Sequence, residues 1–156
     1  MRETYLTVAG RIRRELDDLG RIADRIADIW ERGTEESYRV DAAALNLHGF
    51  YAGLERVFEV IATRIDQTEP AGPHWHQELL DQMNTEIPNV RPAVLSSPAR
   101  RKLDRYRGFR HVVRNVYTIE LDPQQIEPLV AELPATMEHV GSDLESFADT
   151  LERIAQ

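Results

Sequence analysis

The residues best suited to chemistry lie in one stretch of the chain, from Arg105 to Tyr117. Wound as an α-helix at about 100° per residue, the stretch places Arg107, Arg110 and Arg114 on a narrow stripe with Tyr117, and His111 and Asn115 lie beside it. The stretch contains no lysine and no acid, and arginine binds phosphate through two parallel hydrogen bonds. This pattern favours a phosphate-handling site, although a solvated or interface face would show it too.

The opposite arc of the same predicted helix is apolar and predicts a buried face. It consists of Tyr106, Phe109, Val112, Val113, Val116 and Ile119. Ser97 followed by Pro98 is a favourable N-cap and first-turn pair, so we expect the helix to begin there. We expect it to end near Ile119 or Glu120.

The rest of the chain also shows helical periodicity. Apolar residues recur at three- and four-residue steps over residues 3–32, 36–66 and 74–83, and again from 123 almost to the end. Asp122 and Pro123 repeat the helix-start signal, and Pro134 predicts a break or kink in the last helix. The expected fold is all-α: an antiparallel up-and-down bundle of four long helices and one or two short ones.

Three glycines are expected to have structural roles. Gly33 is a plausible stop for the first helix. Gly49 and Gly53 lie four apart inside the second helix, where glycine costs about 1 kcal/mol relative to alanine, so close approach of another helix is the expected reason for both.

Two further positions have open interpretations. Glu55 lies among apolar neighbours in the second helix and is either an ordinary exposed residue or a partner for one of the arginines. His74 and His76 are two apart, which on a helix places them on different sides, so a shared metal ion is not expected.

Composition limits the class of protein. The 156 residues predict one domain over 1–156, and the chain has no cysteine and no apolar run of the roughly 20 residues needed to span a bilayer. The N-terminus does not look like a signal peptide, so we expect a soluble, cytoplasmic protein without membrane contact.

The net charge is −8, but residues 100–114 hold seven Lys/Arg and one acid, a charge of +6 that leaves −14 for the rest. Such a local basic patch can attract a polyanion to one place.

Several segments together resemble a known family. They are Leu47 to Phe58, Trp75 and His76, Arg91 and Pro92, Phe109 to Tyr117, and Glu120 to Asp122. In this order they resemble the HepT-like branch of the HEPN superfamily. The resemblance implies a helical bundle that forms a homodimer and acts as a metal-independent ribonuclease, the toxin of a toxin–antitoxin pair. It implies as partner a minimal nucleotidyltransferase antitoxin, which in several such systems modifies a tyrosine of the toxin with AMP.

The family signature is an arginine followed after four to six residues by a histidine, often with a tyrosine two positions later. Arg110 matches the arginine and Tyr117 the tyrosine, which makes Tyr117 the candidate for modification by AMP. Position 115, however, is asparagine, which cannot act as a general base near neutral pH. His111 lies one turn earlier on nearly the same side and is the predicted substitute. Pairing Arg105 with His111 also satisfies the spacing, but the two point to different sides of a helix.

The implied reaction needs a base, phosphate-binding cations and no cofactor. We expect Arg110, His111 and Asn115 to form the catalytic set, and Arg105, Arg107 and Arg114 to bind phosphate. A base takes the proton of an RNA 2′-hydroxyl, whose oxygen attacks the adjacent phosphorus while arginines stabilise the growing charge. Two alternatives stay open: a weak or inactive dimer that binds a nucleotidyltransferase or RNA, which Asn115 favours, and a purely structural helical dimer.

Overall fold

The computed structural model describes residues 1–115 and 121–156, and at positions 111, 112, 114 and 115 it describes the backbone alone. The described part of the chain contains five α-helices and no β-strand. They are α1 (Arg2–Arg32), α2 (Glu36–Ile61), α3 (Trp75–Met83), α4 (Ser97–Asn115) and α5 (Pro123–Ile154), and a π-helical turn (Ala62–Asp66) extends α2. The predicted all-α fold with four long helices is confirmed.

The four long helices pack in an antiparallel arrangement. α1 contacts α2 and α5, and α4 contacts α2 and α5. The apolar faces that the sequence periodicity predicts meet in one cluster of buried side chains drawn from all five helices. The short helix α3 packs on α4 and α2, so it brings its first residues beside the middle of both.

The helix starts agree with the sequence signals, with one shift. The Asp122 carboxylate accepts a hydrogen bond from the Gln124 backbone N–H at 2.9 Å, which caps α5 as predicted. In α4 the cap lies one residue earlier than predicted: the Ser96 hydroxyl accepts from the Ala99 N–H at 3.4 Å, and Ser97 is already helical. The predicted end of α4 lies outside the described residues. α5 continues through Pro134, so a break there was a wrong expectation.

Two of the three glycines allow close approach. A Cβ on Gly53 would lie 2.8 Å from Leu19 of α1, so the predicted helix approach is confirmed there. Gly33 ends α1 as predicted, but its φ of −65° is ordinary, and the reason for glycine is that a Cβ would lie 2.8 Å from the Arg39 side chain. A Cβ on Gly49 would meet nothing within 4 Å, so close packing within the described chain does not explain that glycine.

A buried ion pair fixes α3 and the loop after it to the end of α2. Arg91 and Asp66 have fully buried side chains and meet through two hydrogen bonds, at 2.6 and 2.8 Å. The remaining N–H groups of Arg91 donate to the carbonyls of Thr85, Pro92 and Gln82. With every donor satisfied, this pair holds α3 in one position against α2, and α3 carries a residue of the candidate site.

Candidate functional site

The described part of α4 buries the apolar face that the sequence predicts, whereas the side chains of Val112, Val116 and Ile119 lie outside the described residues. Tyr106 and Phe109 are buried, and Val113 packs against the same core. The Tyr106 hydroxyl donates to the Leu129 carbonyl of α5 at 2.8 Å, which fixes the rotation of α4 about its axis. Arg110 lies one turn after Tyr106 and reaches α2 and α3, and Arg107 lies close enough to Tyr51 of α2 to affect its pKa.

Arg110 meets two side chains from other helices, and these three residues form the candidate site. The His76 Nδ1 lies 2.7 Å from a carboxylate oxygen of Glu55. The Arg110 Nη1 lies 3.2 Å from Nε2 and 3.4 Å from Nδ1 of His76, and its Nε lies 3.6 Å from the other oxygen of Glu55. Helices α2, α3 and α4 thus each contribute one residue to a cluster that combines an anion-binding group, an imidazole and a carboxylate.

Glu55 is buried, so its interpretation as an ordinary exposed residue is wrong, and its alternative as an arginine partner is confirmed. Its side chain is 5% exposed, whereas those of His76 and Arg110 are 20% and 17% exposed. The carboxylate lies beneath the two cationic or basic groups, and only these reach the solvent. An ionised group at this depth is stable only with charged or hydrogen-bonding partners, which Arg110 and His76 supply.

The Glu55 carboxylate also affects its neighbours on α2. Burial and the charge of Glu55 raise the pKa of Tyr51 well above its usual range, so Tyr51 stays a neutral phenol, and its buried hydroxyl has no hydrogen-bond partner among the described residues. Burial, followed by the charges of Glu55 and Glu69, raises the pKa of Glu59. The floor of the site is therefore acidic, in contrast to the basic α4 above it.

Two other arginines of the basic stretch, Arg105 and Arg107, are also paired with acids. Arg107 donates to Asp104 at 2.8 Å on the same helix. Arg105 forms an ion pair with Glu132 of α5, on a different side of α4 from Arg110. The predicted phosphate-binding set is thus divided: Arg107 lies on the Arg110 side, and Arg105 does not.

The side chains of the remaining predicted residues lie outside the described residues. These are His111, Arg114, Asn115 and Tyr117. Their proposed roles depend on their positions in the sequence.

A comparison with protein-family models gives one match. A family described as HepT-like protein matches residues 42–151, more than two thirds of the chain. The chain belongs to the HepT-like family. Separate searches of curated proteins and of solved structures returned no match. The matched range includes Glu55, His76 and Arg110, so all three helices that form the cluster are part of the HepT-like region.

His76 is the site residue of this HepT-like protein that the sequence pattern did not reveal. In the sequence His76 lies 21 positions from Glu55 and 34 positions from Arg110. Its spacing from His74 raises only the question of a shared metal ion. The signal that was available is that Trp75 and His76 fall within the segments that resemble the family.

No group of three or more His, Asp or Glu side chains within residues 1–115 and 121–156 is arranged to hold a metal ion. Over the same ranges, none of the helices combines the length and the apolar character needed to cross a membrane.

Proposed function

We propose that this HepT-like protein is the toxin of a toxin–antitoxin pair and a metal-independent endoribonuclease. The observation that carries the proposal is the contact between the guanidinium of Arg110 and the imidazole of His76. Both side chains are partly exposed, and both contact the buried carboxylate of Glu55. Such a pair places a phosphate-binding group beside a group that accepts a proton near neutral pH.

The reaction is attack by an RNA 2′-hydroxyl on the adjacent phosphorus. Arg110, at the arginine position of the family signature, stabilises the charge that grows on the phosphate oxygens, and Arg107 and Arg114 lie along the same side of α4 by helical periodicity. Asn115 orients the substrate through hydrogen bonds but accepts no proton. A histidine is then the base, and the candidates are His111, next to Arg110 in the sequence, and His76, in contact with Arg110.

An ion-paired Arg110 also supports the alternative, a catalytically weak or inactive dimer that binds RNA or a nucleotidyltransferase. Glu55 compensates the charge of Arg110, and Asp104 compensates that of Arg107. A phosphate must compete with these carboxylates, which weakens anion binding relative to a set of free arginines. The cleavage assay below separates the two functions.

We propose that the protein acts as a homodimer that associates through α2. Tyr38 and Leu45 are two turns apart on one face of α2 and are 75% and 72% exposed. Ala42, Gly49 and Ala52 extend this apolar stripe with small side chains that permit close helix approach. Glu55 lies on the flank of the stripe, so association of two copies through it places the two sites in a shared cleft.

The expected second partner is a minimal nucleotidyltransferase that acts as antitoxin. Tyr117 is the proposed site of AMP transfer, because it occupies the tyrosine position of the family signature. An AMP group there adds negative charge seven positions after Arg110 in the sequence, and a negative charge repels an RNA phosphate. Modification is therefore expected to inhibit the nuclease.

The proposal is tested with purified protein and total tRNA in excess EDTA. We expect cleavage that leaves 2′,3′-cyclic phosphate ends, since these are the products of 2′-hydroxyl attack. Growth arrest on expression, relieved by the neighbouring gene, tests the toxin assignment in cells. Loss of cleavage in EDTA contradicts the metal-independent reaction, and absence of both cleavage and growth arrest favours the binding function.

A further inference from the structure

We infer that His76 is the general base of the proposed nuclease and that buried Glu55 is the residue that positions it. This inference rests on the proposed function and assigns one of its roles to a helix, α3, that lies outside the family signature. It replaces His111 as the predicted base.

The hydrogen bond from His76 to Glu55 decides which ring nitrogen is available. A carboxylate accepts hydrogen bonds and does not donate them, so Nδ1, at 2.7 Å from Glu55, carries the proton in the neutral ring. Nε2 then has the free lone pair. Nη1 of Arg110 lies 3.2 Å from Nε2 and 3.4 Å from Nδ1, so it lies between the two ring nitrogens and not on the axis of that lone pair. The base nitrogen and the phosphate-binding group are therefore adjacent, as attack on a phosphate held by Arg110 requires.

Three contacts restrict the position of the imidazole. Glu55 fixes one edge, the ring of Trp75 lies against it with centroids 3.6 Å apart, and Arg110 covers it from α4. Because Glu55 is on the rigid interior of α2, His76 does not need to be ordered when substrate binds. A ring held in this way by a carboxylate has the arrangement that orients histidine bases in other enzymes.

In the proposed step, the substrate phosphate binds the guanidinium of Arg110, and the 2′-hydroxyl then lies at Nε2 of His76. The 2′-hydroxyl proton moves to Nε2, the 2′-oxygen forms a bond to phosphorus, and the bond from phosphorus to the 5′-oxygen breaks. The leaving 5′-oxygen takes a proton from water, and the imidazolium, stabilised by Glu55, later returns its proton to solvent.

The charged groups around His76 come from three elements. Glu55 and Glu59 face it from α2, and Arg110 faces it from α4. Glu69 lies in the segment after the π-helical turn; its charge raises the pKa of Glu59, whereas His76 lowers it. The acids outnumber the cation and stabilise the imidazolium once it forms. Glu55 is the one in direct contact, so its removal should have the largest effect on the pH dependence.

The first experiment compares His76→Gln with His74→Gln, a matched control at an exposed histidine two positions earlier. We expect His76→Gln to lower kcat on tRNA by about 10² to 10⁴. Affinity for an uncleavable 2′-O-methyl RNA should change by less than about threefold, because Arg110 is retained. Circular dichroism melting shows whether each variant is folded, and His76→Asn serves as a second variant if the glutamine does not fit. His74→Gln should behave as the parent.

The second experiment tests the positioning role of Glu55. We expect Glu55→Gln to shift the acidic limb of the pH–rate profile to lower pH, because the imidazolium loses its carboxylate neighbour. A residue that only supported the fold would lower the rate without moving this limb.

The outcomes separate the inference from the proposed function. A parent protein that does not cleave RNA overturns both. A parent that cleaves, together with folded His76→Gln and His76→Asn variants that cleave as fast, overturns the inference alone. Loss of activity in His111→Gln with retention in His76→Gln assigns the base to His111.

Discussion

Replacing Arg110 by alanine should affect both stability and catalysis, and the structure gives the size of the first effect. Removal of one member of a buried ion pair costs about 3–5 kcal/mol when the other is left without a partner. Glu55 keeps His76 at 2.7 Å, and the lost contact is an ion pair at 3.6 Å with no hydrogen bond. We therefore expect a loss of about 1–2 kcal/mol in unfolding free energy. For a chain of this size, this lowers the melting temperature by about 2–8 °C.

This expectation goes beyond the one based on the sequence alone. On the helical wheel Arg110 lies off the apolar arc, which predicts that the protein stays folded without it. In the structure its side chain is 17% exposed and compensates a carboxylate that is nearly inaccessible. The double variant Arg110→Ala with Glu55→Gln removes the uncompensated charge and should recover most of the lost stability.

The catalytic effect is measured in the EDTA assay with tRNA. Loss of one group that stabilises developing negative charge lowers kcat by about 10² to 10³. Arg101→Ala is the matched control, because Arg101 is exposed on the same helix and lies half a turn away from the Arg110 side. It should change stability by less than about 0.5 kcal/mol and leave kcat unchanged.

Two results would refute this reasoning. If Arg110→Ala melts at the temperature of the parent and Glu55→Gln stabilises it no further, Glu55 does not depend on Arg110. If Arg110→Ala and Arg101→Ala cleave RNA equally fast, Arg110 is not the phosphate-binding residue. Urea unfolding followed by circular dichroism measures the first outcome, and single-turnover cleavage measures the second.

Three further predictions test other parts of the molecule. Leu45→Glu should convert the dimer to a monomer that remains folded, since Leu45 is 72% exposed in one chain; light scattering that shows a monomer for the parent at micromolar concentration would contradict the proposed interface. Arg91→Met should cost about 3–5 kcal/mol by leaving Asp66 buried and unpaired, and Arg91→Met with Asp66→Leu should recover part of it; unchanged urea unfolding of the single variant would contradict the structural role. Asn115→His restores the family histidine and should leave tRNA cleavage equal or faster; a slower rate would mean that histidine does not replace the Asn115 amide in orienting the substrate.

The sequence by itself determined the helices of this protein, because their signals are local. Asp122 and Pro123 begin α5 by hydrogen bonding within one turn, and the periodic apolar residues predicted the buried face of α4, including Tyr106 and Phe109. Spacing within one helix places residues on a common side whatever packs against it. The errors at helix boundaries were correspondingly small, as at Ser96, one residue before the predicted cap.

The tertiary structure decided what Arg105 and Arg110 meet. Periodicity showed that both belong to a basic stretch, but their partners, Glu132 and Glu55, come from other helices, whereas the partner of Arg107 is three positions away on α4. An ion pair between helices depends on their relative rotation and separation, which packing of the whole core determines. A basic face in the sequence therefore became two separately compensated sides of α4.

The same reason explains why the candidate site could not be predicted in full. Glu55 and Arg110 were both noted in the sequence, and their contact was one of two possibilities for Glu55. His76 belongs to a short helix whose position depends on the buried pair of Arg91 and Asp66, and neither the spacing nor the residue types indicate that pair. The sequence determined which side chains are available for chemistry, whereas the three-helix packing decided which of them are brought within reach of one another.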